Sequence, residues 1–313
     1  MYSLDRMRIL VTGGTGSLGQ PLVKRFLKED IKKIIVFSRD EHKQVEMERK
    51  FTDSRIRFLL GDIRDKNRLK RAFEGINVVV HCAALKHVHK CERDPIEAKK
   101  TNVDGAENII EAAIDCQVKK VLAISTDKAV NPSCSYGKAK ALADDLFVRA
   151  NQYGNTLFSV IRFGNFVGSR GSVLPLFKKR KSLGLPLEIT HPDMTRFFIT
   201  FSDAVERVIE VILNMRGGEI FYPKMKSLKI KDLADAIDLG RKKLIGINKG
   251  EKIHEDLIVP SGAYKTYEID NFFFTCENNR KDASRMWNGF YCNSENNKWK
   301  FTQKEIKNLI ALS

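Results

Sequence analysis

The chain has 313 residues, of which 42% are hydrophobic and 9% aromatic, a composition typical of a folded globular protein and not of a disordered one. It carries 55 Lys and Arg against 39 Asp and Glu, for a formal net charge of +16. The basic residues are scattered, except at residues 178–181 (KKRK) and 241–243 (RKK), and no nucleic-acid-binding motif accompanies them. We therefore expect small polyanionic ligands and no nucleic-acid partner.

Membrane spans, export and metal binding are not expected. No apolar run approaches the roughly 18 residues of a membrane span, and residues 1–7 contain no signal-peptide core. The six cysteines show no CxxC spacing, which indicates reduced thiols in a cytoplasmic protein. No membrane partner is expected, because no run is long enough to span a bilayer. His81, Cys82, His87, His89 and Cys91 lie close in sequence, but their spacing fits no zinc pattern, and His81 and Cys82 end an apolar strand.

Strand-like and helical patterns alternate along the first half of the chain. The predicted strands are residues 8–12, 33–37, 57–60, 77–81, 118–124 and 158–162. The predicted helices are residues 18–28, 41–51, 66–73, 95–116 and 136–151. This alternation predicts an α/β fold, a Rossmann-type doubly wound parallel sheet, whose ligands bind at the carboxyl ends of the strands.

The pattern loosens after about residue 165. Short helices are predicted at residues 172–183, 203–215 and 230–239, separated by Pro, Gly and short strands, while residues 276–300 are polar and rich in Asn. We predict a nucleotide-binding domain at residues 1–165. Residues 166–313 are predicted to form a smaller, partly discontinuous region that mainly binds substrate and is interleaved with the first domain.

A glycine-rich segment follows the first predicted strand. Gly13, Gly16 and Gly19 form a GxxGxxG pattern at the start of the first predicted helix. Small residues there let the backbone approach a pyrophosphate over the helix N-terminus. The pattern, with the strand before it and the helix after it, predicts a dinucleotide site.

The ends of the second and third strands indicate which dinucleotide binds. Ser38 and Arg39 suit the 2′-phosphate of NADP, whereas Asp40 keeps NAD open as an alternative. Asp62 and Ile63 follow the third strand, where they can meet adenine, although a helix cap at Asp62 or Asp65 explains the acids equally well. The sequence thus favours NADP over NAD.

The fifth strand leads into the motifs STDK and YGKAK. Tyr136 and Lys140 are four residues apart and share one face of a helix, where the ammonium can stabilise the phenolate. Asp127 and Lys128 add an acid and an amine at the end of the same strand. These four residues form the predicted catalytic group.

The motifs together resemble those of the extended short-chain dehydrogenases and, within them, the UDP-N-acetylglucosamine 4,6-dehydratases, including the inverting type. The motifs that carry the resemblance are TGGTGSLG (12–19), FSRDEHKQ (37–44), GDIRD (61–65), HCAALKHV (81–88), KTNVDGAENI (100–109), STDKAVNP (125–132), YGKAK (136–140), RFGNFVGSRGSVLP (162–175), MTRFFIT (194–200) and GEKIHE (250–255).

The resemblance implies a chemistry for the catalytic group. Tyr136 takes the proton of the sugar 4-hydroxyl as hydride leaves C4, Lys128 removes the C5 proton, and Asp127 protonates the departing 6-hydroxyl. Lys128 must be neutral to act as a base, so burial or nearby positive charge is expected to lower its pKa. The positive charges of Lys140 and the oxidised nicotinamide would both help to lower this pKa.

The resemblance also implies ligand contacts and self-association into a homo-oligomer. The implied cofactor contacts are Gly13, Thr15, Gly16, Ser17, Leu18, Gly19, Ser38, Arg39, Lys43, Asp62, Ile63, Ala83, Ala84, Lys86, Ser125, Thr126, Tyr136, Lys140, Phe166, Gly168 and Arg170. The implied substrate contacts are Lys86, Asn165, Val173, Thr190 and Arg196. The chain departs from the family at residues 248–249 (NK), where relatives commonly carry Arg, and at residues 89–91 (HKC) near the sugar pocket.

Two other functions fit parts of the same pattern. A UDP-hexose 4-epimerase shares the fold, the Tyr and the Lys, but it needs no base at C5, so Asp127 and Lys128 favour the dehydratase. A non-catalytic NADP-binding protein of this fold would lack the Tyr–Lys pair, which this chain keeps.

Overall fold

The computed structural model describes residues 3–169, 171–261, 264–277, 280, 281, 283 and 289–311, together with the backbone of 285–287. The strands are β1 Arg8–Thr12, β2 Lys33–Ser38, β3 Ile56–Leu60, β4 Val78–His81, β5 Lys120–Thr126, β6 Leu157–Phe163, β7 Asn165–Phe166, β8 Leu187–Ile189, β9 Thr195–Ile199, β10 Ile220–Pro223, β11 Lys226–Lys229, β12 Lys242–Leu244, β13 Asp256–Ile258, β14 Lys265–Ile269, β15 Phe272–Cys276, β16 Arg285–Trp287 and β17 Cys292–Asn293. The helices are α1 Gly19–Phe26, α2 Glu41–Glu48, α3 Lys66–Phe73, α4 Val88–Arg93, α5 Pro95–Lys99, α6 Gly105–Asp115, α7 Ser135–Arg149, α8 Val173–Ser182, α9 Phe201–Asn214, α10 Ile230–Ile237 and α11 Gln303–Ala311.

Seven parallel strands form the centre of the molecule, in the order β3-β2-β1-β4-β5-β6-β10. Three antiparallel strands, β15, β14 and β16, extend the sheet beyond β10. The chain winds outward from β1 to β3 and then returns to β4 on the other side of β1. This reversal of direction is the switch point where ligands of open α/β sheets bind, and the predicted doubly wound fold is confirmed.

The central strands are apolar throughout because both faces of the sheet are covered. Ile9, Leu10 and Val11 of β1 have no exposed surface. Helices α1 and α9 pack on one face, and α3, α6 and α7 pack on the other, so each face has its own core. Parallel strands buried on both sides carry continuous apolar runs of this kind.

The predicted helix at residues 95–116 is divided in the structure, and α4 was not predicted. Pro95 starts α5, and a π-helical segment, Lys100–Asp104, separates α5 from α6. Asn102 in this segment is buried, and its side chain both accepts from Leu85 N (2.8 Å) and donates to Leu85 O (2.9 Å). The irregular turn thereby anchors the loop that follows β4, as π-helical turns often do at functional sites.

Residues after 165 contribute to two parts of the structure, the main sheet and a smaller lobe. Strands β10, β14 and β15 and helix α9 complete the main sheet and one of its cores. Helices α8, α10 and α11 form a smaller lobe with β8, β9 and β11, around a core that includes Leu174, Phe177 and Leu233. In the described part of the chain, no helix combines the length and the apolar character needed to cross a membrane.

Candidate functional site

A cleft with a volume of about 580 Å³ lies at the carboxyl ends of the central strands. The predicted ligand and catalytic residues that line it are Gly13, Thr15, Gly16, Ser17, Leu18, Gly19, Ser38, Arg39, Lys43, Asp62, Ile63, Ala83, Ala84, Lys86, Ser125, Thr126, Lys128, Tyr136, Lys140, Asn165 and Phe166. Asp127, Gly168, Val173, Thr190 and Arg196 are described but are not part of this lining. Arg170 lies outside the described residues.

The glycine-rich loop of the cleft cannot accept a side chain at Gly13 or at Gly19. Gly13 has a φ of +63°, and a Cβ placed on it would lie 2.9 Å from the backbone of Ala83. A Cβ on Gly19 would lie 2.5 Å from Gly13 O. At these two positions the backbone is not covered by a side chain at the start of α1, and this surface fits the pyrophosphate of a dinucleotide.

The end of β2 presents donor groups to the cleft. Asp40 Oδ1 accepts from Lys43 N (3.0 Å) and caps α2, and its other oxygen pairs with Lys43 Nζ, so hydrogen bonds from Lys43 lower the pKa of Asp40. Gln44 Nε2 donates to Ser38 Oγ (3.0 Å), which leaves the Ser38 hydroxyl proton able to point elsewhere. The acid at this strand end is thus engaged by the helix, and Ser38, Arg39 and Asp40 all line the cleft.

Tyr136 is held beside Lys128 by close contact between α7 and the turn after β5. A Cβ on Gly137 would lie 2.2 Å from Lys128 O, so only glycine allows α7 to approach this closely. Cys134 Sγ accepts from Gly137 N (3.4 Å) and caps the helix. Burial raises the pKa of Tyr136, and the positive charge of Lys128 opposes that effect.

Lys128 lies between two buried carboxylates. Its Nζ donates to Asp127 Oδ1 (3.0 Å), contacts Glu255 Oε1 (3.2 Å) and donates to Asn165 Oδ1 (3.4 Å). Asp127 has no exposed surface and Glu255 has 2%. One oxygen of each carboxylate, Asp127 Oδ2 and Glu255 Oε2, is buried without a hydrogen-bond partner in the described structure.

The expected lowering of the Lys128 pKa is wrong for this arrangement. Burial acts in the expected direction, but Asp127 and Glu255 outweigh it, and the pKa of Lys128 is raised. For Asp127, burial raises the pKa. The charge of Lys128 opposes this increase, and the charge of Glu255 adds to it. Burial would also raise the pKa of Glu255, but Lys128, Arg196 and Lys252 together lower it. The prediction from sequence considered only burial and the effect of nearby cations on the pKa of Lys128. It left out the opposite effect of Asp127 and did not predict that Glu255 lies nearby.

Lys140 lies one turn after Tyr136, on the same face of α7, as predicted. Its Nζ donates to Ile124 O (2.9 Å), and burial lowers its pKa while Asp144 opposes the shift. Asp144 is itself held by Ser125 Oγ and Arg162 Nε, each at 2.8 Å. These contacts fix the base of α7 against β5 and β6.

Arg196 was predicted to meet the substrate, but its guanidinium is occupied within the chain. It is 4% exposed and donates to Thr195 O (2.7 Å), Ile253 O (3.0 Å) and Lys252 O (2.8 Å). Its Nε also lies 3.7 Å from Glu255 Oε1. The contacts indicate that Arg196 holds the segment that carries Glu255. Its substrate contact stays a prediction.

Val173 and Thr190 lie in the smaller lobe, where Val173 starts α8 and Thr190 Oγ1 donates to Met194 Sδ (3.2 Å). Their substrate contacts stay predictions. Glu255 was not predicted as a site residue, although the motif GEKIHE that ends in it was noted. Only the tertiary structure brings its side chain to Lys128.

The histidines and cysteines at residues 81–91 were not expected to bind a metal. Within the described residues, no group of three or more His, Cys, Asp or Glu is arranged to hold a metal ion. His81 Nδ1 hydrogen-bonds Thr12 Oγ1 (2.8 Å), and burial lowers its pKa to about 3, so the ring is neutral. Burial raises the pKa of Cys82 to about 12.

Comparison with known proteins identifies the family. Residues 9–277 match the family described as polysaccharide biosynthesis protein. The chain belongs to this family. It is 44% identical to a Campylobacter jejuni protein named UDP-N-acetylglucosamine 4,6-dehydratase (inverting), over 98% of each chain. The predicted relationship to this group of extended short-chain dehydrogenases is confirmed.

Other relatives carry different names. A Methanocaldococcus jannaschii protein named an uncharacterized membrane protein is 47% identical over 85% of this chain and 84% of its own length. A UDP-glucose 4-epimerase of Rickettsia prowazekii is 41% identical over 85% of this chain and 81% of its own.

Among solved structures, Pen from Bacillus thuringiensis superposes with a TM-score of 0.92 at 34% identity, over 100% of this chain and 99% of that one. The dTDP-glucose 4,6-dehydratase DesIV from Streptomyces venezuelae, solved with NAD and TYD, has a TM-score of 0.73 at 24% identity, over 79% of this chain and 87% of that one. The second likeness concerns the fold alone.

The contact between Gly137 and Lys128 O can be tested by Gly137→Ala. The added methyl must push α7 away from the turn, so we expect turnover to fall by at least about tenfold while bound cofactor is retained. Gly154→Ala is the matched control, since its Cβ would meet only an ordinary contact at 3.7 Å. Equal activity of the two variants would show that this close approach does not matter.

Proposed function

We propose that the chain is a UDP-N-acetylglucosamine 4,6-dehydratase that inverts C5 and forms a UDP-2-acetamido-2,6-dideoxy-hexos-4-ulose. The reaction comprises oxidation at C4, elimination of water across C5–C6 and return of hydride to C6. The observation that carries the proposal is the Asp127–Lys128 pair, whose amine lines the cleft beside Tyr136. The identity to the inverting dehydratase over nearly the whole chain supports it.

We propose that a nicotinamide dinucleotide occupies the cleft, and that NADP is preferred to NAD. When bound, it would accept hydride from C4 and return it to C6. The glycine-rich loop would hold its pyrophosphate, and Ser38, Arg39 and Lys43 would supply donors for a 2′-phosphate. Asp40, the residue that would favour NAD, is engaged as the cap of α2.

The raised pKa of Lys128 is compatible with a role as base. The pair exists as an ammonium beside a carboxylate, or as an amine beside a carboxylic acid, and one proton moved along the 3.0 Å contact converts the first form into the second. The raised pKa of Asp127 favours the second form, the amine beside a carboxylic acid. That form holds both groups that the elimination needs.

The elimination then uses each member of the pair once. The Lys128 amine takes the C5 proton, which the 4-ketone has made acidic, and the Asp127 acid gives its proton to the departing 6-hydroxyl, which leaves as water. Tyr136 takes the 4-hydroxyl proton in the earlier oxidation as its phenolate, a form that burial disfavours and that the positive charge of Lys128 favours. Inversion requires that the proton returning to C5 arrives on the opposite face.

A 4-epimerase is the second candidate, because a relative with that name is 41% identical. Epimerisation at C4 needs a tyrosine and a cofactor but breaks no C5–H bond. A buried amine–acid pair beside Tyr136 would then have no role in the reaction. In a non-catalytic binding protein, neither the Asp127–Lys128 pair nor Tyr136 would have a role.

The proposal is tested by incubating the purified protein with UDP-N-acetylglucosamine in deuterated water, without added cofactor. We expect a product lighter by one water, with deuterium at C5, and NMR coupling constants that report the inverted configuration. An isomer of unchanged mass without deuterium would indicate the epimerase. Absence of turnover with cofactor still bound would indicate the binding protein.

Lys128→Ala separates the elimination from the oxidation. We expect elimination to fall by at least about 100-fold, because the base is lost. Bound cofactor should remain, and absorbance of the reduced nicotinamide should still appear when substrate is added. Lys138→Ala, an exposed lysine on α7, is the matched control. Unchanged turnover of Lys128→Ala would remove the base assignment.

Arg39→Ala tests the preference for NADP. Loss of a guanidinium that contacts a phosphate should weaken NADP binding by about 10- to 100-fold and leave NAD binding nearly unchanged. Dissociation constants for both cofactors, measured by nicotinamide fluorescence, provide the comparison. Arg49→Ala, at the exposed end of α2, is the control. An equal loss for both cofactors would contradict a 2′-phosphate contact.

We propose that Glu255 is a positioning residue that also sets the pH range of the reaction. Asp127, Glu255, Arg196 and Lys252 are the charged groups that act on Lys128 or on Glu255. A negative charge at Glu255 strengthens proton binding by the Asp127–Lys128 pair, and the active pair holds one proton in total. At low pH the Asp127–Lys128 pair takes up a second proton and kcat falls. We call this part of the pH profile of kcat its acid limb.

Glu255→Gln removes the charge and keeps an oxygen near Lys128. Both pKa values of the pair should fall, so we expect the acid limb of the kcat profile to move to lower pH, with KM little changed. Glu251→Gln, in the same segment, should leave the limb in place. A purely structural role of Glu255 would lower kcat at every pH without moving the limb.

A further inference from the structure

The two basic clusters noted in the sequence meet on the smaller lobe. Residues 178–181 end α8, and residues 241–243 enter β12. Strand β12 pairs in parallel with β8, which follows α8 after a short turn, and Leu187 N donates to Arg241 O (3.0 Å). Lys181 Nζ donates to Ile237 O at the end of α10. Segments far apart in sequence thus form one surface.

The same two segments expose large apolar side chains. Leu239 is 84% exposed and Leu244 is 64% exposed. Single exposed leucines are common in folded proteins, whereas several in one surface mark an interaction site. The exposed apolar residues of the two segments are Leu176, Leu183, Leu185, Leu239, Leu244, Ile245 and Ile247. We call the surface formed by residues 176–186 and 239–249 the basic apolar face.

The charge of the basic apolar face is of one sign. Residues 176–186 contain four basic residues and no acidic residue, and so do residues 239–249. Arg180 and Lys242 pair with Glu188 and Asp235, which lie outside these segments. Arg241 and Lys243 are exposed beside Leu244 and Ile245. Three consecutive cationic residues are therefore followed directly by two apolar ones along the exposed strand end.

We propose that the basic apolar face docks on the surface of an anionic lipid bilayer. Such a surface takes leucine and isoleucine side chains at the headgroup boundary and attracts lysine and arginine to the lipid phosphates and carboxylates. The expectation of no membrane partner rested on the absence of a spanning segment, and surface docking needs none.

Other partners satisfy only half of these features. A nucleic acid would use the positive charge but would leave the exposed leucines and isoleucines without an apolar partner. A second copy of the chain, related by twofold symmetry, would bring like charges together across the contact. An anionic bilayer is complementary to both the charge and the apolar side chains.

The test is co-sedimentation of the full chain with phosphatidylcholine vesicles, with and without phosphatidylserine. We expect binding only to vesicles with phosphatidylserine, and weaker binding as salt is raised. Arg241→Glu with Lys243→Glu should lower the partition coefficient by at least about 30-fold. Lys32→Glu with Lys50→Glu, exposed on the nucleotide-binding part, changes the net charge equally and should have little effect.

A second pair of variants separates lipid docking from simple charge attraction. Leu244→Ser with Ile245→Ser should also lower the partition coefficient, by about tenfold or more, whereas Ile96→Ser with Leu142→Ser, exposed elsewhere, should not. Equal losses in both charge pairs, or no binding to vesicles with phosphatidylserine, would overturn the proposal.

The other partners have their own signatures. Binding to a duplex oligonucleotide that the serine variants retain would indicate a nucleic-acid surface. A change in mass by light scattering in the Arg241→Glu, Lys243→Glu variant would indicate an interface between copies. Either result, without vesicle binding, would overturn lipid docking, and none of these assays depends on the dehydratase activity.

Discussion

The ion cluster around Lys128 is the constraint on which the site depends. The buried carboxylates of Asp127 and Glu255 are tolerated only with partners, and loss of one partner of a buried ion pair costs about 3–5 kcal/mol. Asp127 comes from the turn after β5, whereas Glu255 comes from the segment before β13. Arg196 and Lys252 compensate the second acid. The cluster therefore joins the nucleotide-binding half to the later half, and the later residues cannot move away without leaving buried charge unpaired.

Helix α7 serves the core and the cleft at once. Ala143 and Phe147 pack into the core on one face of the sheet, while Tyr136 and Lys140 line the cleft. Gly137 lets the first turn touch the carbonyl of Lys128. Because one rigid helix carries both sets of residues, the packing of the core determines where the phenol lies relative to the amine. The chemistry we propose needs that relation held to within a fraction of an ångström.

The large positive charge is distributed among distinct tasks. Arg39 and Lys43 face the cofactor end of the cleft, and Lys128, Arg196 and Lys252 are neutralised by buried acids. The basic residues of the smaller lobe remain on an exposed surface together with apolar side chains. Net charge alone predicted an anionic ligand. The positions of the basic residues distinguish the small ligand that we propose for the cleft from the lipid surface that we propose for the smaller lobe.

The sequence by itself determined six of the seven parallel strands of the central sheet, because buried parallel strands require continuous apolar runs that are visible one strand at a time. It also identified the glycine-rich loop and the Tyr136–Lys140 pair, since both depend on spacing within one turn or helix. Only the tertiary structure decided the charge state around Lys128, the engagement of Arg196 and the joining of the two basic clusters. Each of these depends on side chains brought together from distant segments, and the electrostatic field at a buried group is the sum over all its neighbours in space.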